Sequence, residues 1–424
     1  LVAAANQPAP ASGNPSGSPV QITFNTVKKQ DVSDWVDKGL TQDIDGWKAK
    51  GIDVKINAVP GDYPSYVAKV MALTSGGQLG DAIWYVARHQ TNVGWGVRYN
   101  VVRDLGPLAK AANYDMNQFY PGSVSANSFQ GKTYWICYIG EPVVPVIAYN
   151  KTKVQKLGLV EPQDGWTFDD LAAFAKSGTS SDTFGYYRAD AGDALQGNVN
   201  YLRQWGVDIT DELGQKSTLL NNKEGFVGAL KLRYDLMQTW KASPSPANGQ
   251  IDTSALFGGQ KVLAVSVVPP SIQTYPATFK DFEIGFVTTP VLKKGDKLRS
   301  MLNQHTFGVT TTSKQPEAAF QFITWACGKE MVVQGLIQGQ RATSARADVW
   351  ADERVYQHFP NYRKLKPIMD AIEPDFKVGN FRGDEIDAAF AQAYDLLELG
   401  KTSPEQTATD AQKLCQDVLD KDPP

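Results

Sequence analysis

The stretch 131–176 constrains the fold more than any other part of this chain. It reads GKTYWICYIGEPVVPVIAYNKTKVQKLGLVEPQDGWTFDDLAAFAK. A Gly-Lys turn opens onto an apolar, β-branched run that ends at Tyr149-Asn150-Lys151, and a short helical segment then stops at Gly158. Pro162 and Gly165 break the chain before Trp166-Thr167, where a new helix starts. A buried strand feeding directly into helix, turn and helix is the pattern of a chain crossing from one lobe to another. Two-lobed proteins commonly hold small molecules between their lobes.

Size and charge narrow the classes. A chain of 424 residues forms two domains or one large α/β unit, and 42% hydrophobic residues suffice for full cores. The net charge of -3 comes with no polybasic patch, which argues against a nucleic-acid partner. No apolar run approaches the roughly 20 residues that span a bilayer. The longest, 143–149, is strand-length and contains Pro145. Cys137, Cys327 and Cys415 are far apart and form no CxxC pair, against zinc and against a disulfide framework. They are expected as buried free thiols, with a Cys327–Cys415 bridge as the alternative. His89, His305 and His358 are scattered without ligand spacing, so neither metal nor cofactor is expected.

The opening LVAAANQPAPASGNPSGSPV carries no charge and almost no bulky side chain. It cannot bury enough apolar surface to offset its ordering entropy, and reads as a flexible tether over residues 1–20. Leu1-Val2-Ala3-Ala4 is similar to the small-residue end of a secretory signal, or to a lipobox with Ala5 where the lipidated cysteine would stand. A disordered end unrelated to export is the alternative.

Beyond the tether the rhythm is strand, helix, strand. VQITFNTV alternates as a strand over Val20–Val27, and residues 31–50 hold helix-period apolar side chains until Gly51. Ile52–Val59 alternates again, residues 63–73 form a helix stopped by Gly76-Gly77, and a third strand starts at Asp81-Ala82. Further on, Thr167 caps a helix with Asp170 three residues later. A helix spans 226–240; strands are read at 261–268, 282–287 and 306–311. The tail holds a helix at 384–399 and a helix start at Ser403-Pro404. Such alternation implies right-handed crossovers and a largely parallel sheet.

The order YVAKVMALTSGGQLGDAIW, GKTYW, AYNKTKVQKLGL, WTFDDLAAFA, LFGGQKVLAV, EIGFVTTP, FGVTTTSKQPEAAFQFITWA, GQRATSARADV and GKTSPEQTATDAQ resembles the family 1 extracellular solute-binding proteins of ABC importers. The resemblance is to the sugar-binding set that includes maltose-binding protein, and runs from about residue 20 to the end. It implies an α/β, two-lobed periplasmic-binding-protein type II fold, with mostly parallel sheets, flanking helices and a ligand cleft between the lobes. On that pattern residues 21–149 and 303–328 make lobe 1, and residues 150–302 and 329–424 make lobe 2. The lobes would rock about 148–151 and 301–306. The resemblance further implies a monomer that is extracytoplasmic, in the periplasm or lipid-anchored at the cell surface. It would capture a carbohydrate by lobe closure and deliver it to a membrane permease.

Sugars present apolar ring faces edged with hydroxyls, so their sites need flat aromatic rings and forked polar groups. Trp166, Trp240 and Trp325 sit in helix patterns and are assigned to the core, leaving Trp84, Tyr85, Trp95, Trp135, Tyr138, Trp205 and Trp350 as candidates. Ligands bind beyond the carboxyl ends of strands in open sheets. Matched to the family, the loops after the first and third strands select Lys28, Lys29, Tyr85, Arg88 and His89. Glu141, in the crossing strand, reads as a sugar-hydroxyl acceptor or a rim charge. In the second lobe the resemblance points to the polar-aromatic loop around Asn198 and Trp205, to Arg341 in GQRATSAR, and to Phe381 and Arg382 before the tail helix. Asn303 and His305 precede a strand near the second crossing. Pro269-Pro270-Ser271 replaces the stacking residue usual in relatives, so the particular sugar stays open.

No GxSxG, HExxH, Walker loop or cysteine-histidine signature is present, and no carboxylate pair is singled out for glycoside hydrolysis. A binding protein is therefore expected rather than an enzyme. Lys28, Lys29, Arg88 and Arg341 leave an anionic or phosphorylated solute as the alternative ligand.

Overall fold

The computed structural model describes residues 19–28, 33–61, 63–87, 96–142, 146–188, 194–211, 214–245, 251–269, 271–337, 343–373 and 382–421. Two compact units divide the chain: Leu1–Glu141 with Leu302–His358, and Pro142–Met301 with Phe359–Pro424.

The first unit is built on a five-stranded sheet. β1 (Val20–Val27) pairs in parallel with β2 (Ile52–Val59), from Val20 opposite Ile52 to Val27 opposite Val59. β3 (Ala82–Ala87) lies parallel on the other side of β1. A two-stranded ribbon, β4 (Ser128–Phe129) and β5 (Lys132–Thr133), precedes β6 (Ile136–Pro142). The order is completed by β11 (Leu302–Val309), which inserts between β3 and β6 and runs antiparallel to β3.

Alternation in β1 puts Ile22 and Phe24 fully inside, where the Phe24 ring meets Phe307 and Phe322, each with centroids 5.1 Å away. Trp47 extends this cluster edge-on to Trp325 at 5.1 Å. Trp47 belongs to the second of two short helices, Ser33–Gln42 and Ile44–Ala49, which replace the single helix read over 31–50. Asp43 stands at the break with φ -106° and ψ 25°, outside helical geometry.

In the second unit β7 (Val146–Asn150), β8 (Phe184–Arg188), β9 (Val262–Val267) and β10 (Ile284–Thr288) form a sheet in the order β10-β7-β9-β8. β8 and β9 are parallel, whereas β7 is antiparallel to both its neighbours. Both sheets are thus mixed rather than largely parallel. β7 and β9 are buried at every position, as strands covered on both faces must be. Helix Phe168–Ser177 starts with the reciprocal cap expected of Thr167 and Asp170. It lies so close to β8 that a Cβ on Gly185 would come within 1.8 Å of the Ala175 carbonyl oxygen. Helices Lys223–Tyr234, Gly383–Glu398 and Pro404–Leu419 close the core around Phe226, Phe390 and Leu397. The helix expected over 226–240 ends in a π-helical turn, Asp235–Thr239.

The division of the chain departs from the boundaries read in the sequence. β7 pairs wholly within the second unit, so the first boundary falls at Glu141–Pro142, before the strand and not at its end. Residues 329–358 belong to the first unit, which adds a boundary between His358 and Phe359. All three cysteines are buried and free; Cys327 lies in the first unit and Cys415 in the second, and no bridge joins them.

Candidate functional site

In the first unit the carboxyl ends of parallel β1 and β3 are the positions where a ligand would meet side chains. Lys28 follows β1 directly; its N–H donates to the Val59 carbonyl at 2.7 Å, which fixes the backbone while the side chain is exposed. Lys29, Arg88, His89 and Trp95 lie outside the described residues. Tyr85, near the end of β3, is only 5% exposed and stacks on Trp135 with centroids 5.6 Å apart.

Several rings expected at a ligand are interior. Trp84, Trp135 and Trp350 are at most 2% exposed: Trp84 lies on β3, Trp135 in the link before β6, and Trp350 at the end of the short helix Ala347–Trp350. Tyr138 on β6 is buried and stacks on Phe307 at 4.8 Å. His305 is 4% exposed, 5.7 Å from the Trp84 ring and 6.1 Å from the Tyr138 ring. The reason is that β11 begins at Leu302, so Asn303 and His305 sit inside the strand and not ahead of it. Asn303 is half-buried. Gln304 accepts from Ser123 Oγ at 2.6 Å and Asn127 Nδ2 at 2.8 Å. Glu141 has its backbone in β6, and its side chain is not among those described.

In the second unit the parallel pair β8 and β9 ends at Arg188 and Val267. Arg188, missed in the sequence, is 3% exposed; its Nη2 donates to Asn198 Oδ1 and to the Tyr394 hydroxyl, and its guanidinium lies 4.3 Å from the Tyr201 ring. A lone arginine closing the strand FGYYR was the available signal. Beside it Arg233 and Glu398 form a buried ion pair at 2.6 Å, and Arg233 Nη1 donates to the Arg188 carbonyl at 3.2 Å. Asn198 is therefore a fully buried strut of this network. Trp205 is half-buried, stacked on Phe168 at 4.9 Å and covered by Gly228, whose Cβ would come within 2.7 Å of the indole. These neighbours all belong to its own unit. Beyond β9, Val268 is 52% exposed, just ahead of the Pro269-Pro270-Ser271 stretch that lacks a stacking ring.

Arg341 and Phe381 lie outside the described residues. Arg382 pairs with Glu385, which also meets Lys421 at 2.7 Å, so this arginine is committed to a surface ion cluster. These contacts hold the Glu385 carboxyl below its ordinary range, the Lys421 hydrogen bond contributing most. Among the described residues no group of three or more His, Cys, Asp or Glu side chains could hold a metal ion. No described helix is long and apolar enough to cross a membrane.

Comparison with known proteins agrees with this architecture. No curated protein matches the chain in sequence. Among solved structures it is similar to a Listeria monocytogenes ABC substrate-binding protein in complex with cycloalternan, at 18% identity and a TM-score of 0.75, covering 95% of this chain and 99% of that one. It is similar to a cyclic α-maltosyl-1,6-maltose binding protein from Arthrobacter globiformis, at 19% identity and a TM-score of 0.76, covering 95% and 99%. A third is the GacH receptor of Streptomyces glaucescens, solved unliganded and with acarbose, at 20% identity and a TM-score of 0.72, again covering 95% and 99%. These likenesses establish the α/β fold of periplasmic binding proteins. Residues 16–361 match the profile of the bacterial extracellular solute-binding proteins, a match that spans both units. With strands, crossings and profile in agreement, the chain belongs to that family of binding proteins.

Proposed function

We propose that the chain is the carbohydrate-capturing component of an ABC importer, working outside the cytoplasm and handing its ligand to a membrane permease as a monomer. The observation that carries the reading is the fold, shared over 95% of the chain with proteins solved with cycloalternan or acarbose. Lys28, Lys29, Arg88, His89, Glu141, Asn303, Arg341 and Phe381 stay in the proposal as ligand contacts. Tyr85, Tyr138, Asn198, Trp205, His305 and Arg382 enter it only as residues that hold the surrounding backbone. Lipid anchoring belongs to the same reading, and mass spectrometry of the native N-terminus tests it.

The absence of turnover is part of the proposal. Binding proteins hold a ligand without reacting it, and the family supports that role. A thermal-shift screen of mono- and oligosaccharides is the direct test. A ligand at about 100 times its dissociation constant stabilises by roughly 2.7 kcal/mol. Stoichiometric binding with no product in the same samples is expected, and small-angle scattering should show a smaller radius of gyration at saturation. A flat screen, or release of shorter sugars, overturns the reading.

A further inference from the structure

Three features meet at one edge of the second unit, and none of them serves the role proposed above. The first is the strand edge itself. Among the described residues β10 is the outermost strand of its sheet and pairs only with β7. The Lys151 N–H donates to the Glu283 carbonyl at 2.8 Å, which sets the alternation: main-chain groups of Gly285 and Val287 face β7, those of Ile284, Phe286 and Thr288 face outward. Thr288 is satisfied there by the Asp164 carboxylate at 2.9 Å and the Trp166 indole at 2.8 Å. The Phe286 carbonyl accepts from Lys364 Nζ at 3.3 Å. The Phe286 N–H and both main-chain groups of Ile284 have no protein partner among the described residues.

The second feature is a hollow of about 570 Å³ along this edge, with Phe279, Phe282, Phe286 and Tyr149 in its wall. Tyr149 lies across the strand at Gly285, where a Cβ would come 2.1 Å from the ring, and its hydroxyl donates to Glu161 at 3.1 Å. The third feature is charge. Lys151 is neutralised by Glu283 at 2.6 Å, and the Glu161 carboxylate is engaged by Tyr149 and, at 2.8 Å, by Gln155. Lys280 and Lys364 line the same hollow with no carboxylate partner among the described residues. The hollow's wall thus holds three lysines against two glutamates, a surplus of one positive charge, with the Asp164 carboxylate turned to the Thr288 N–H farther along the edge.

We propose that this edge binds an extended peptide segment bearing carboxylates, which adds as a further strand outside β10. Its main chain pairs with Ile284 and Phe286, alternate side chains enter the hollow, and its carboxylates meet Lys280 and Lys364. Lys364 moves from the Phe286 carbonyl to a carboxylate as the strand arrives, which frees that carbonyl for the ladder. Of the four rings in the wall, Tyr149, Phe282 and Phe286 are nearly buried, at 5%, 8% and 8% exposed, and Phe279 is half-buried.

Fluorescence anisotropy of the full chain with a labelled peptide of alternating glutamate and valine tests this. Expected is saturable, salt-sensitive binding, weakened about tenfold or more when glutamine replaces glutamate or when the protein carries K280Q and K364Q. A backbone N-methylated peptide should not bind. The K280Q/K364Q variant should keep the saccharide thermal shift of the parent, which separates this site from the proposed function and shows that the variant is folded. Equal binding of the N-methylated peptide, displacement by free glutamate alone, indifference to K280Q/K364Q, or no binding at all overturns the proposal. So does blockage of the peptide by self-association of the chain, seen in light scattering.

Discussion

Burial decides the chemistry of individual side chains here. Desolvation pushes the Cys415 thiol up to about 12, and raises Cys137 and Cys327 as well. A thiolate is the reactive form. All three cysteines should therefore resist a thiol reagent at pH 8 in the native state and react together in guanidinium, as intact-mass spectrometry would record; fast native labelling of any one would contradict its placement. Gly185 illustrates the opposite limit, where a single methyl has nowhere to go. Because the obstacle 1.8 Å away is the Ala175 backbone, Gly185→Ala should cost at least about 2 kcal/mol in a denaturant titration. Residue identity alone did not mark which of the candidate rings belong to the core. Trp84 sits on β3, where period-2 alternation assigns two faces without saying which is covered, and Trp135 sits in the link before β6, where no periodicity applies.

Elements were more legible than sites. The bounds of β1 and β2, the Thr167 cap and the Ser403 cap follow from local chemistry, and the structure has them as the sequence indicates. β11 was read too late because Asn303, Gln304 and His305 are polar in a strand that buries nearly every position. Strand direction was misjudged for a different reason: polarity depends on where a crossing returns the chain, and no local pattern records that. Helices Lys329–Ile337 and Glu353–His358 are joined at their starts by Arg354, which meets Glu330 at 2.8 Å and Asp352 at 2.7 Å. The Arg354 hydrogen bonds, with Lys329, hold the Asp352 carboxyl well below its ordinary range, despite some opposing desolvation. A carboxyl depressed in the folded state stabilises the protein above its unfolded value, about 3.9, and that contribution is lost as pH falls through the folded value. Asp352→Asn should therefore lower stability at pH 7 and flatten its decline below about pH 4. A melting series from pH 7 to pH 2 checks this, and parallel curves would refute it.

At the scale of the molecule, each unit is assembled from separated stretches of chain. The second unit needs Gly383–Glu398 and Pro404–Leu419, which supply Phe390, Leu397 and Cys415 to its core. A chain ended at His358 should keep slow amide exchange in β1, β3 and β11 and lose it in β7, β8 and β9. Uniform loss, or protection throughout, would show that the units are not separately cored. The sequence announced two bodies through the 131–176 stretch. It did not announce the return at His358, because Phe359-Pro360 looks like any other turn.

The position of β11 bears on biosynthesis. This strand belongs in the middle of its sheet yet leaves the ribosome long after the strands on either side of it. Until then β3 and β6 cannot be bridged, and the nascent polypeptide has no complete first unit to lock. The first unit thus stays unlocked until synthesis has passed Val309.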